Sequence, residues 1–200
     1  MVSHVQPGQT AKARLREAIL HARRAVDGDR RRAEAAAVAT TLRELVAEGA
    51  TICAYVPVGS EPGSLDALDA LVGRGVRVLL PVARETSDGP APLQWGEYRA
   101  GRLVAAPYGL HEPAPPHLPP EAIAEATLVL VPALAVDRQG ARLGRGAGFY
   151  DRTLPLAAAG ARLVAVVRDD EVLDEIPAEP HDVPMTHVVT PGRGLQPLGK

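Results

Sequence analysis

Cysteine, lysine and aromatic residues are all scarce in this sequence. Cys53 is the one cysteine among 200 residues, so no intrachain disulfide can form, and no Cys/His spacing predicts a zinc site. Cys53 lies inside an apolar run, which favours a buried thiol over a nucleophile. Lys12 and Lys200 are the only lysines among 22 basic residues. Lys12 therefore stands out as a compact point charge in an arginine-rich chain.

Long apolar runs and an excess of charge are also absent. No run approaches the ~18 residues of a membrane span, and no signal-peptide core is present, so we expect a cytoplasmic protein without membrane contacts. A net charge of −2 disfavours nucleic acid as a partner. The apolar content of 46% is that of a globular protein. We expect one domain over residues 1–200, with loosely ordered ends at 1–9 and 192–200, acting as a monomer on small molecules.

The apolar spacing predicts helices that alternate with strands. The predicted helices are 10–27, 29–48 with Asp29 as its N-cap, 64–71 with Ser64 as its N-cap, 119–126, and one beginning at about 148. The predicted strands are 51–56, 76–80, 93–98, 127–131, 163–167 and 187–189. This alternation is typical of βαβ units, and it predicts a three-layer α/β/α fold with a largely parallel sheet.

The strongest local pattern is a glycine-rich segment between a predicted strand and a predicted helix. Gly144, Gly146 and Gly148 occupy alternate positions, where glycine allows positive φ and a close approach of a ligand to the backbone. Free backbone N–H groups there, with Arg142 and Arg145, favour an anion. The segment is neither a G-x-G-x-x-G fingerprint nor a Walker A loop. A phosphate loop explains three glycines better than a tight turn does.

The string around these glycines is more specific than the glycines themselves. Residues 131–152, VPALAVDRQGARLGRGAGFYDR, resemble the signature of the 5-formyltetrahydrofolate cyclo-ligase family (methenyltetrahydrofolate synthetases). Further segments are similar to elements of that family, in the expected order: KARLR at 12–16, YVPVGSE at 55–61, YGLHEP at 108–113, and HDVP at 181–184 followed by Thr190. The resemblance therefore covers nearly the whole chain.

The resemblance implies a fold and a reaction. The fold would belong to the NagB/RpiA/CoA-transferase-like α/β group. The reaction would be the ATP-dependent cyclisation of 5-formyltetrahydrofolate to 5,10-methenyltetrahydrofolate, with release of ADP and phosphate, through phosphorylation of the formyl oxygen. ATP would be a co-substrate and Mg²⁺ a cofactor.

The resemblance also assigns roles to residues. ATP would contact Lys12, Ala13, Arg14, Leu15, Arg16, Arg142, Leu143, Gly144, Arg145, Gly146, Ala147, Gly148, Phe149 and Tyr150. The folate substrate would contact Val56, Glu61, Arg145, Gly146, Ala147, Gly148 and Phe149. Lys12 and Arg145 would be catalytic, with Arg145 stabilising the transferred group. Asp151 and Asp182 would bind Mg²⁺, which takes one or two carboxylates in addition to phosphate oxygens.

Each of these residues also has an ordinary structural interpretation. Without the resemblance, Lys12 and Arg16 would be solvated charges on one helical face, and Glu61 an exposed loop residue. Tyr150 and Trp95 would either stack on a flat ring or fill the core. The sequence leaves this choice between stacking and core packing open.

Departures from the family pattern and two other functions complete the sequence-based picture. Val136 replaces an aromatic residue, Ala133 a glycine, and the pair at 63–64 an acidic residue and threonine. We expect the first two to change packing and the pair to thin the polar contacts after Glu61. One alternative is an enzyme like the sugar-phosphate isomerases or acyl-CoA transferases, but no acid–base pair for it is evident. The other is a family member that binds nucleotide or folate without turnover, which the intact loop disfavours.

Overall fold

The computed structural model describes residues 7–179 and 182–199. Its α-helices are Pro7–Ala25 (α1), Gly28–Leu45 (α2), Leu65–Gly73 (α3) and Phe149–Thr153 (α4). Its 3₁₀ helices are Pro107–Gly109, Pro120–Glu125, Leu154–Leu156 and Asp169–Glu171. No helix within these described ranges combines the length and the apolar character needed to cross a membrane.

The strands are short, and many were not expected. Those before residue 114 are Thr51–Cys53 (β1), Arg77–Val82 (β2), Glu85–Thr86 (β3), Gly89–Pro90 (β4), Gln94–Glu97 (β5), Leu103–Ala105 (β6) and His111–Pro113 (β7). Those after it are Leu128–Pro132 (β8), Ala135–Asp137 (β9), Arg142–Leu143 (β10), Arg162–Val166 (β11), Val172–Leu173 (β12), His187–Thr190 (β13) and Gly194–Pro197 (β14).

Seven strands form the central sheet, in the order β14–β13–β11–β8–β1–β2–β5. The five inner strands are parallel to one another. The edge strands β5 and β14 run antiparallel to β2 and β13, respectively. Parallel neighbours require crossover connections, and the intervening segments supply them. The predicted mixed α/β fold with a largely parallel sheet is therefore confirmed.

Apolar side chains cover both faces of the sheet. On one face, α2 and α3 contribute Val38, Leu42, Leu68 and Leu71 to a core that includes Ile52 of β1. The other face is covered by two 3₁₀ helices, Pro120–Glu125 and Leu154–Leu156, which contribute Ile123 and Leu154 to a second core. Burial on both faces explains why the inner strands are apolar runs without alternation.

Cys53 and Trp95 belong to the second of these cores. Both side chains are fully buried, and burial raises the pKa of the Cys53 thiol well above its usual range. The Trp95 indole N–H donates to the carbonyl of Pro120 at 3.3 Å. Cys53 is therefore the core thiol that the sequence predicted. Of the two interpretations left open for Trp95, core packing is correct.

Two N-cap predictions have opposite outcomes. Ser64 caps α3 as predicted, accepting a hydrogen bond from the N–H of Ala67 at 3.2 Å. Asp29 was the wrong N-cap for α2: the carboxylate of Asp27 accepts from the N–H of Arg30 at 2.8 Å. An N-cap side chain accepts from the N–H of the third residue after it. With Asp27 as the cap, Asp29 therefore lies in the first turn of α2.

The carboxyl-terminal end also differs from the prediction. Residues 194–197 form β14, which pairs antiparallel with β13 along the sheet edge. The expectation of a loose end at 192–200 is therefore wrong for this strand, because backbone pairing orders a segment whose glycine and proline content suggested a loop. At the amino-terminal end, residues 7–9 already belong to α1. Residues 1–6, 180–181 and 200, including His181 and Lys200, lie outside the described residues.

Candidate active site

The candidate site lies at the carboxyl ends of the inner strands β1 and β8. In open α/β sheets, ligands bind at this end of the strands. The loop after β1 carries Glu61, and the chain after β8 forms the β9–β10 hairpin and then the glycine-rich segment. Helix α1 and the segment around Asp182 contact the same region through ion pairs and hydrogen bonds.

Each glycine of the glycine-rich segment has its own structural reason. Gly146 has φ of 97° and Gly148 has φ of 81°, in the left-handed region that favours glycine. Gly144 has ordinary backbone angles, but a Cβ there would lie 2.6 Å from a guanidinium nitrogen of Arg142. The segment therefore turns sharply and lies against arginine side chains, as the sequence suggested for an anion-binding loop.

Helix α1 contacts this loop through Arg16. Its Nε donates to the carbonyl of Gly144 at 2.9 Å, and its guanidinium lies beside Gly146. Lys12 is one turn earlier on the same face of α1. The structure therefore brings Lys12 and Arg16 to the loop region together, from a sequence distance of more than 120 residues.

Lys12 is held by acidic residues from the far end of the chain. Its ammonium lies 3.1 Å from Oε1 of Glu179 and 3.3 Å from Oδ2 of Asp182. Lys12 is only 8% exposed, so this charge is partly desolvated and interacts more strongly than a surface lysine would. Asp182 also accepts the N–H of Glu179 at 2.8 Å, which orients its carboxylate.

Arg142, Tyr150 and Asp151 form a second group beside the loop. Nη2 of Arg142 donates to Oδ1 of Asp151 at 2.8 Å, and its guanidinium lies 5.6 Å from the centre of the Tyr150 ring. The Tyr150 hydroxyl is buried and has no hydrogen-bond partner among the described residues. Burial raises the pKa of this phenol, so it stays protonated.

An ion pair between Arg145 and Glu61 joins the two loops of the site. Both Nε and Nη2 of Arg145 lie 3.0 Å from Oε1 of Glu61. The other carboxylate oxygen of Glu61 accepts the N–H of Val58 at 3.0 Å. Two residues that were assigned to the site from separate motifs therefore contact each other directly.

Several predicted site residues are not brought together by their side chains. The side chains of Leu15 and Leu143 pack in an apolar cluster with Leu134 and Ile176. Val56 packs against the core on the α2 side of the sheet.

Other predicted site residues are exposed. Ala13 is exposed, and Arg14 lies on the outer face of α1 beside Glu17, His21 and Arg24. Ala147 is exposed, and Phe149 is half-buried against the second core.

The two aspartates assigned to magnesium are both paired with cations. Asp151 contacts Arg142, and Asp182 contacts Lys12. The described residues contain no group of three or more histidine, cysteine, aspartate or glutamate side chains suited to a metal. A magnesium ion bound with nucleotide phosphates needs only one or two protein carboxylates, so such a cluster is not required for it.

Sequence reasoning missed Asp137 as a residue that supports the site. Its side chain accepts three backbone N–H groups: those of Gln139 at 3.0 Å, Ala141 at 2.8 Å and Ile176 at 2.9 Å. These bonds fix the turn of the β9–β10 hairpin, whose second strand begins at Arg142. An aspartate shortly before a glycine, between two apolar runs, is a turn signal that could have been recognised.

Gly140 links the same turn to the segment that contains Asp182. Its φ is 95°, and its carbonyl accepts the N–H of Met185 at 2.8 Å. A Cβ at this position would collide with the Met185 carbonyl oxygen. The hairpin turn thus positions the loop on one side and the partners of Lys12 on the other.

Replacing Asp137 with alanine is expected to lower the free energy of unfolding by about 3 kcal/mol, because three backbone N–H groups lose a charged acceptor. Asp137 is 2% exposed, so water cannot replace the carboxylate. Urea denaturation measures the loss. Asp88→Ala, in an exposed turn, is the matched control; a loss at Asp137 no larger than at Asp88 would contradict this role.

Glu112, from the segment at 108–113, supports the sheet edge and does not reach the loop. Its buried carboxylate accepts the N–H of Ala83 at 2.8 Å and pairs with Arg84 at 2.9 Å. These contacts join β7 to the chain just after β2. The segment that contributed to the resemblance therefore has a structural role here.

The family model described as the 5-formyltetrahydrofolate cyclo-ligase family matches residues 8–191. The chain belongs to this family. The resemblance inferred from the sequence is therefore confirmed, and so is the expectation of an enzyme of the ligase class.

Curated relatives agree with membership of the cyclo-ligase family. A 5-formyltetrahydrofolate cyclo-ligase of Mycolicibacterium smegmatis is 64% identical over 189 residues, covering 94% of this chain and 97% of that protein. The Escherichia coli K12 protein of the same name is 29% identical over 144 residues, covering 72% of this chain and 79% of that protein.

Solved structures agree on the fold of the cyclo-ligase family. The NMR structure of Aquifex aeolicus 5,10-methenyltetrahydrofolate synthetase matches with a TM-score of 0.76 and 25% identity, covering 94% of this chain and 93% of that one. A 5,10-methenyltetrahydrofolate synthetase from Mycoplasma pneumoniae matches with a TM-score of 0.69 and 20% identity, covering 88% and 96%. The second likeness concerns the fold alone.

The departures from the cyclo-ligase signature lie at packing and capping positions. Val136 and Ala133 are buried in the second core. Gly63 has φ of 112° and Ser64 caps α3. These residues have structural roles, which fits the expectation that Val136 and Ala133 affect packing.

Proposed function

We propose that this protein catalyses the ATP-dependent cyclisation of 5-formyltetrahydrofolate to 5,10-methenyltetrahydrofolate. The main support is the convergence of three separate segments at one end of the sheet in a member of the cyclo-ligase family. Lys12 and Arg16 come from α1, Arg145 from the glycine-rich loop, and Glu61 from the loop after β1. A basic, glycine-rich surface beside a buried carboxylate suits an anionic nucleotide next to a ring with N–H donors.

The chemistry requires activation of the formyl oxygen. This oxygen belongs to an amide-like group and is a poor leaving group. In the proposed reaction it attacks the γ-phosphorus of ATP, and ADP departs. The 10-nitrogen then attacks the activated formyl carbon and gives up its proton, and the formyl oxygen leaves as part of inorganic phosphate. The protein must align the reacting atoms and neutralise the charge on the transferred group.

The cationic residues have complementary roles in this proposal. Lys12 and Arg16 bind the phosphates through their side chains, from one face of α1. Backbone N–H groups of residues 142–150 bind them from the opposite side. Arg145 stabilises the transferred phosphoryl group, since its half-exposed guanidinium, which pairs with Glu61 among the described residues, carries the positive charge that this group requires. Arg142 orients Asp151.

Asp151 and Asp182 are proposed to hold Mg²⁺. Their carboxylates are the oxygen ligands that this ion prefers. Magnesium would neutralise phosphate charge in the bound nucleotide. In the present structure Arg142 and Lys12 neutralise these two carboxylates. We propose that Lys12 turns towards the phosphates when magnesium nucleotide binds, while Arg142 stays beside Asp151 and orients it.

The folate ring is proposed to contact Glu61, Val56 and the loop at 145–149. The Glu61 side chain is 10% exposed, so its carboxylate is partly desolvated. A desolvated carboxylate forms strong hydrogen bonds with paired N–H donors, such as the amino-pyrimidine edge of a pterin. Val56 packs against the core but is only partly buried, and its remaining exposed surface would contribute an apolar wall.

Absorbance at the methenyl-folate band tests the proposed reaction. Purified protein is mixed with 5-formyltetrahydrofolate and Mg-ATP, and we expect the band to grow with time. Omitting ATP or adding a magnesium chelator should abolish the increase. If folate binds without any methenyl product, the catalytic proposal fails and a binding protein without turnover is the better description.

We further propose that the enzyme acts as a monomer in the cytoplasm on small molecules only. A net charge of −2 supports the absence of a nucleic-acid partner. Light scattering at working concentration tests the monomer, for which the expected mass is 21.0 kDa.

A further inference from the structure

The Arg145–Glu61 ion pair joins a well-anchored acceptor to a half-exposed donor. One oxygen of the Glu61 carboxylate is fixed by the N–H of Val58, and the Glu61 N–H itself donates to the Val58 carbonyl at 3.2 Å. The preceding residue is also held, because Nη1 of Arg168 donates to the Ser60 carbonyl at 3.3 Å. Glu61 therefore has little freedom to move.

Arg145 has the opposite character. Its side chain is 54% exposed and lies between Gly144 and Gly146. It uses two adjacent N–H groups, Nε and Nη2, on a single oxygen of Glu61. Among the described residues, the hydrogen bonds and ion pair of its guanidinium are those to Glu61. Because the Arg145 side chain is half exposed, water can solvate its guanidinium when it leaves Glu61, which lowers the cost of exchanging partners.

The donors on Arg145 have a chemical equivalent in the substrate class proposed above. A 2-amino-pyrimidinone ring presents a ring N–H beside an exocyclic amino group, so it offers a planar pair of donors like the edge of a guanidinium. Arg145 donates to Oε1 of Glu61, whereas the N–H of Val58 donates to Oε2. A substrate ring would therefore need the oxygen that Arg145 uses. Ring and arginine therefore compete for the same acceptor.

We propose that the substrate ring displaces Arg145 from Glu61, and that the released Arg145 then turns to the transferred phosphoryl group. This exchange rests on the proposed function, because it requires a ring with paired donors and a phosphate in the same site. It makes recognition of the ring a condition for placing Arg145 in its catalytic position. No covalent bond is made or broken in the exchange. The hydrogen bonds from Arg145 to Glu61 are replaced by hydrogen bonds from the ring.

Binding of 5-formyltetrahydrofolate in the absence of ATP tests the exchange. Isothermal titration calorimetry gives Kd for the unmodified protein and for Arg145→Ala and Arg145→Gln. Removing the competing arginine is expected to tighten folate binding by about two- to fivefold, the range for an exposed ion pair. Loss of a positive charge normally raises the Kd for an anionic ligand. A lower Kd in the Arg145 variants would therefore indicate that a competitor for Glu61 has been removed.

Arg138→Ala is the matched control for this test. Arg138 is an exposed arginine paired with Asp174 at 3.3 Å, outside the site, so the variant loses the same charge without touching Glu61. Unchanged or weaker folate binding by the Arg145 variants, relative to Arg138→Ala, would overturn the exchange. If the unmodified protein does not bind the folate, the proposed function fails as well. If it binds and turns over folate, only the exchange is in question.

Discussion

Replacing Lys12 with methionine is expected to lower kcat/KM for ATP by about a thousandfold, comparable to the loss of a main electrostatic contact in a transition state. Methionine keeps an unbranched stem and removes the charge. Lys12 is almost buried, on the face of α1 that also carries Arg16 to the loop. Because few waters can replace its ammonium there, the lost attraction to phosphate is not compensated by solvent. Steady-state kinetics with varied ATP measure the effect.

Two further variants separate the role of Lys12 from its effect on the fold. Lys12→Arg restores charge without the compact ammonium, so we expect only partial recovery. Arg24→Ala removes an exposed charge from the last turn of the same helix, and it should leave kcat/KM unchanged. Near-normal turnover in Lys12→Met, with a normal unfolding transition, would contradict the assigned role.

Replacing Asp151 with asparagine is expected to lower kcat by about a thousandfold, because a carboxylate ligand of the magnesium would be lost. The substitution preserves shape and leaves an oxygen to accept from Arg142, so the fold should persist. We also expect a higher magnesium concentration for half-maximal activity. Kinetics across a magnesium titration measure both effects.

Asp174→Asn is the control for Asp151→Asn. Asp174 is also paired with an arginine, but that pair lies on the surface. Its replacement should change neither kcat nor the magnesium dependence. If Asp151→Asn behaved in the same way as this control, Asp151 would not be a ligand of the metal.

The parts of the fold that local chemistry determines were predictable from the sequence. The apolar runs that became β8 and β11 are buried on both faces, which is the pattern expected of inner parallel strands. Ser64 was recognised as a cap because its contact spans three residues. The same local reasoning placed the cap of α2 at Asp29, two residues too late, because the sequence does not show where the backbone enters the helix.

Features that depend on distant parts of the chain were not predictable. The β9–β10 hairpin consists of two very short strands, too short to show periodicity. The strand β14 exists because β13 offers an edge to pair with. The contacts of Lys12 with Glu179 and Asp182 span about 170 residues, and no local pattern indicates them.

The sequence motifs nominated the residues of the candidate site, but they did not indicate how those residues are arranged. The motifs identified Glu61 and Arg145 separately. Their ion pair, and with it the proposed exchange of partners, became apparent only from the folded chain. Asp137 was overlooked because its contacts are to backbone N–H groups, which a search for catalytic side chains does not consider.

The central claim is that ATP phosphorylates the formyl oxygen before the ring closes. Turnover of 5-formyltetrahydrofolate that carries oxygen-18 in its formyl group tests this most directly. Mass spectrometry of the released inorganic phosphate should then find one labelled oxygen for each methenyl product formed. Methenyl product accompanied by unlabelled phosphate would contradict the account, because the formyl oxygen would have left by another route.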